Sequence, residues 1–150
     1  MRIEELEVVC LEAARNVVER QGRPIIPTVV LPLPSATQVS ALADWPDDDQ
    51  GRLDLLQRFA TEVMRPVNAP CYGFIAEGVA ELEGHLADVV VVAFGARGQH
   101  PRVTAAPLTE EGLGDFAAAE ELEPAALPFL AALQHAATEA EMPDAFGGGD

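Results

Sequence analysis

The chain has no lysine, and no arginine after Arg102. Its nine cations are all arginines, set against 25 Asp and Glu, for a formal net charge of −16. Residues 103–150 carry ten acids, with His135 as their one basic side chain. This shortage of positive charge excludes whole classes of function. Nucleic-acid binding sets cations against phosphates, and docking on an anionic membrane needs a polybasic patch. No apolar run approaches the roughly 18–20 residues of a membrane span. The acidic start, Met1-Arg2-Ile3-Glu4-Glu5, lacks the form of a secretory leader, so a cytoplasmic location is expected.

Other absences narrow the chemistry. Cys10 and Cys71 are the only cysteines and form no C-x-x-C pair, so neither zinc nor dithiol chemistry has support. Both read as buried thiols acting as small hydrophobes. Ser35 and Ser40 are the only serines, and neither sits in a nucleophile elbow. No Gly-rich loop follows a strand and opens a helix, which removes the usual phosphate-binding motifs. Gly95-Ala96-Arg97-Gly98 has the spacing of a KH-type clamp but joins two expected strands in an acidic protein, so it reads as a turn. No cofactor is expected.

What is present suits one folded unit. An apolar fraction of 49% in 150 residues can build a single core. Residues 1–142 read as one domain, and the Gly-rich end, 143–150, as a disordered tail. The acidity fits solubility, adaptation to salt, or recognition of a basic partner.

Ile3, Leu6, Cys10, Ala13 and Val17 recur at spacings of three and four, the stripe of a helix over residues 3–20. Glutamates lie early in it and arginines late, in accord with the helix dipole, and Gly22 and Pro24 stop it. Thr28-Val29-Val30-Leu31 is a strand that its flanking prolines make short or place at a sheet edge. Residues 37–42 alternate as a half-exposed strand, with Val39 and Ala41 against Gln38 and Ser40. Asp47 and Gln50 have capping-box spacing before a second helix ending near Pro66. Residues 71–77 are a strand with Tyr72, Phe74 and Ala76 on one face. Residues 88–94 are apolar and β-branched, as a central strand is, and 102–108 returns to make a hairpin. Thr109-Glu110-Glu111 opens a short helix through Phe116, and Pro124 or Pro128, the latter favoured, starts a last helix that buries Leu130, Leu133 and Ala137.

The order α-β-β-α-β-β-β-α implies an α+β fold, a mostly antiparallel sheet of about five strands with helices packed on it. That order resembles roadblock and profilin-like folds and, more loosely, acidic type III secretion chaperones. The block Tyr72-Gly73-Phe74-Ile75-Ala76-Glu77, followed by Asp88-Val89-Val90-Val91-Val92, resembles a group of small uncharacterised bacterial proteins. The likeness implies a fold and carries no activity.

Glu77, Glu81, Glu83, His85 and Asp88 fall within twelve residues. Glu77, His85 and Asp88 are the candidates for a divalent metal or an acid–base pair, set against a plain solvated loop between strands. Glu77 ends an apolar strand, where a half-buried carboxylate needs a cation; Arg97 or Arg102 on the next hairpin is expected to supply it. Asp47-Asp48-Asp49 lacks the alternation of a calcium loop and reads as helix capping. Trp45 and Arg97 are candidates for a protein interface, although Trp45 could equally tuck over the second helix.

The expected function is that of a non-enzymatic acidic module binding a basic protein, without nucleic acid or membrane, and a homodimer is a further possibility. The alternatives are a small metal-dependent or acid–base enzyme using Glu77, His85 and Asp88, or a charge mimic of nucleic acid that occupies a basic site.

Overall fold

The computed structural model describes residues 2–140. The chain runs α1 (Ile3–Gln21), β1 (Thr28–Pro32), β2 (Thr37–Ala41), α2 (Asp49–Phe59), β3 (Cys71–Leu82), β4 (His85–Ala96), β5 (Arg102–Thr109), β6 (Gly112–Leu113), β7 (Glu120–Glu121) and α3 (Ala131–Glu139). A π-helical turn, Ala60–Met64, prolongs α2, and a 3-10 turn, Pro128–Leu130, leads into α3. The fold is α+β with the expected order. Every pairing is antiparallel, in the order β2-β1-β3-β4-β5-β6, with β7 also on β5. Five strands of five to twelve residues form the body of the sheet, and the two-residue β6 and β7 bring the total among the described residues to seven. The Gly-rich end, 143–150, and the last two residues of the expected 1–142 domain lie outside the described residues. Among the described residues no helix is long and apolar enough to cross a membrane.

Alternation along β3 divides the core in two. Cys71 and Ile75 face α1, whose stripe of Ile3, Leu6, Cys10, Ala13 and Val17 is buried against them. Gly73 lies on the same face; a β-carbon there would stand 2.4 Å from Cys10 Sγ, so only glycine admits the helix this close. Tyr72 and Phe74 face the other way, into a core closed by Leu56, Met64, Leu130, Leu133 and Ala137 of α2, α3 and the turns that adjoin them. Fully burying a side chain such as Leu133 or Phe74 contributes about 1.5–3 kcal/mol. Burial pushes the pKa of the Cys10 thiol up to about 12 and raises those of the Cys71 thiol and the Tyr72 phenol.

Several local expectations need correction. β1 is short, one of the two outcomes expected of it, and lies inside the sheet rather than at its edge, between β2 and β3. Its prolines fall at or beyond the ends of the ladder, where no donor is missed. β2 is the edge, and its apolar residues point outward: Val39 is half exposed, because α1 packs over β1, β3 and β4 instead. The cap of α2 is Asp48, which accepts from the Gly51 amide; Asp47 does not. Residues 109–117 form no helix. Gly112, at φ 113°, turns the chain into β6. Thr104 and Ala105 then hold Ala117 beside β5. Two glycines, Gly112 and Gly114, each disfavour a helix by about 1 kcal/mol relative to alanine, and the open edge of β5 offers the backbone other partners.

Candidate functional site

β3 and β4 pair without interruption from Cys71 opposite Ala96 to Leu82 opposite His85. β1 leaves β3 beyond Ile75, and β5 leaves β4 beyond Val89. Residues 78–88 are therefore a two-stranded arm, projecting roughly 15 Å at about 3.3 Å per residue. The loop expected between residues 77 and 88 is thus strand, closed by two residues. Glu83 and Gly84 have φ of 50° and 82°, the pair of left-handed residues of a type I′ turn.

Register assigns the faces. Glu77, Val79, Glu81, Leu86 and Asp88 lie on the α1 side of the arm; Ala80, Leu82, His85 and Ala87 lie on the other. His85 is thus on the opposite face from Glu77 and Asp88. Among the described residues no group of three or more His, Cys, Asp or Glu side chains is placed to hold a metal ion.

Glu77 and Asp88 are brought together by a residue outside the arm. Arg23, in the linker between α1 and β1, donates from Nη2 to Glu77 Oε2 at 2.7 Å and to Asp88 Oδ2 at 2.8 Å. The Ile25 amide donates to Glu77 Oε1 at 3.2 Å. Glu77 does pair with a cation, but the cation is Arg23 rather than Arg97 or Arg102. The two carboxylates raise the Arg23 guanidinium further above its ordinary range, the Glu77 bond contributing most. With both acids held by one guanidinium, the cluster works as a latch that pins the linker to the base of the arm.

Beyond the latch the arm is open. Val79 is 66% exposed and Leu86 78%, on the same face, and Leu82 at the end is 37% exposed. Glu81 and Glu83 stand among them, both exposed, and the arm has no Lys or Arg of its own. The remaining interface candidates lie elsewhere. Trp45 is half-buried in an aromatic cluster, 5.6 Å from Phe74 and 5.4 Å from Phe129, with Arg52 over its ring. It packs over the α2 core, as one of the two readings of its loop expected. Arg97 follows the end of β4 and donates to the Ala140 carbonyl, which ties α3 to the sheet.

Arg23 and the pair Val79–Leu86 escaped the reading of the sequence. Nothing near Arg23 marks a partner 54 residues away. The arm left a fainter trace: Gly84 alone, between stretches of alternating apolar residues, marks the turn. The chain matches no protein-family model, no curated protein and no solved structure.

Proposed function

We propose that this protein is a binding module for another protein, without catalysis of its own, and that the β3–β4 arm is its recognition element. The carrying observation is the pattern on the arm: Val79 and Leu86 exposed on one face beside Glu81 and Asp88, with Leu82 and Glu83 at its end. An exposed apolar patch rimmed by charge is the usual character of a protein contact. The matching partner surface is apolar with basic residues around it, and the net charge of −16 steers such a partner inward. The tip supports the same reading. Glu83 occupies a left-handed position that Asn or Gly fills at lower cost, so a carboxylate stands there against the preference of the turn. Two free, buried cysteines accord with the reducing cytoplasm as the setting.

The test places a photo-crosslinking amino acid at His85, which leaves every acid and apolar side chain of the arm intact, with a control at the exposed Arg58 of α2. In native lysate, a discrete adduct from position 85 that fades at high salt, and is absent from position 58, is the expected result. Equal adducts from both positions, or none from position 85, would overturn the proposal. Loss of the adduct on adding DNA would favour the charge-mimic alternative.

A further inference from the structure

The chain carries a net charge of −16, yet one sizeable cavity among the described residues has no acid in its lining. A cavity of about 1010 Å³ opens between the π turn after α2, the start of α3 and the segment around residues 122–128. Its walls are apolar, with Leu53, Ala60, Leu122, Leu127 and Leu130 among them. Its polar margin holds Arg65, His100 and His135. Among the described residues no Asp or Glu lines it. With 25 acids in 150 residues, a lining of this size would hold several by composition alone.

The margin already handles a carboxylate. Glu139, just outside the lining, accepts from Arg65 Nη1 and lies 3.2 Å from His135 Nε2. These two contacts, the Arg65 bond above all, hold its carboxyl below the usual range. Arg65 owes its place to the π turn: its amide bonds back five residues to Ala60, which lines the cavity with Thr61. π turns of this kind recur at functional sites. The guanidinium is a fork with five donors, suited to a second carboxylate beside the first.

We propose that this cavity binds a small amphipathic carboxylate, with its hydrocarbon body among the leucines and its single anionic head on Arg65. The size falls at the top of the range for small-molecule sites, with few polar groups on apolar walls. The site is separate from the arm, on the opposite face of the sheet from Val79 and Leu86, and does not depend on the function proposed for it.

Calorimetry on the full chain tests the proposal with two probes of equal apolar length, decanoate and its neutral amide. Decanoate is expected to bind saturably at one site and more tightly than decanamide. Arg65→Gln is expected to weaken decanoate about tenfold or more, while leaving decanamide unchanged, because it removes one charge-assisted bond. Glu139→Gln is expected to tighten decanoate, since it frees the guanidinium from a competitor. Ala131→Trp, at an exposed lining position, is expected to block both probes. A V79S/L86S variant of the arm should bind decanoate normally. Absence of saturable decanoate binding, equal loss of both probes in Arg65→Gln, or weaker decanoate binding in Glu139→Gln would each overturn the assignment.

Discussion

The inner and outer halves of the β3–β4 ladder differ in everything except their hydrogen bonds. The pairing continues unbroken from Cys71 to Leu82. In the inner half Tyr72, Phe74, Ile75, Val90, Val92 and Phe94 are buried between helices. In the outer half Val79, Leu82 and Leu86 meet solvent. Backbone pairing alone therefore says nothing about which side chains stabilise the fold. The apolar residues of the inner half are spent on the core, whereas those of the outer half are left available to a partner.

The sharpest way to test this division is to cut a side chain on each half. Phe74→Ala should cost about 3–5 kcal/mol, since a fully packed aromatic leaves a cavity. Leu86→Ser should change stability by no more than about 0.5 kcal/mol, as expected at an exposed site. Denaturant unfolding of the two variants checks both figures. A large loss in Leu86→Ser would erase the distinction.

Two glycines on the same strand repeat the comparison with the opposite change. Gly73→Ala drives a methyl against Cys10 Sγ, and overpacking of this kind costs about 1–3 kcal/mol. Gly78→Ala meets only Val91 Cγ2 at 3.6 Å, an ordinary contact. It should be neutral or slightly stabilising, because alanine also reduces the freedom of the unfolded chain.

Alkali should strike the inner half. Cys71 and Tyr72 on opposite faces of β3, and Cys10 of α1 on the Cys71 side, all have pKa values raised by burial. The fold keeps these protons after the unfolded chain has lost them, so stability is full below the ordinary thiol value of 9.0. It falls as pH rises from there towards about 12, the folded value of Cys10. Melting temperatures across this range should decline, and Cys10→Ala should flatten part of the decline. At neutral pH neither thiol should react with a disulfide reagent until the protein unfolds.

The latch at the boundary gives a smaller effect. Arg23→Gln should leave the global fold intact while the Ile25 amide, which donates to Glu77, loses protection from hydrogen exchange. Unchanged protection would mean that Glu77 needs no cation to hold the linker. The smallest effect belongs to the tip. Glu83→Asn should stabilise the protein by about 0.5 kcal/mol, because asparagine tolerates the left-handed position better. It should also weaken any contact that relies on charge at the tip.

The α+β order was legible in the sequence because the long elements carry strong periodicity. The α1 stripe and the alternation of Tyr72 and Phe74 each match one buried face. Errors arose where tertiary partners overrule local pattern. Residues 109–117 carry a helix-opening signal, but the open edge of β5 captured them as a returning strand. The acids between 77 and 88 read as a loop because charge suggests solvent, yet a projecting strand is solvated as well. Of the candidate site, the pairing of Glu77 with a cation was legible from its half-buried place at the end of an apolar run. The identity of Arg23 was not, since only the fold brings residues 23, 77 and 88 together.

The most direct measurement compares the V79S/L86S double variant with the parent chain, both carrying the photo-crosslinker at position 85, by melting temperature and by yield of the salt-sensitive adduct. The account predicts an unchanged melting temperature and a lost adduct. An adduct that survives, or a melting temperature that falls along with it, would contradict the arm as a recognition element distinct from the core.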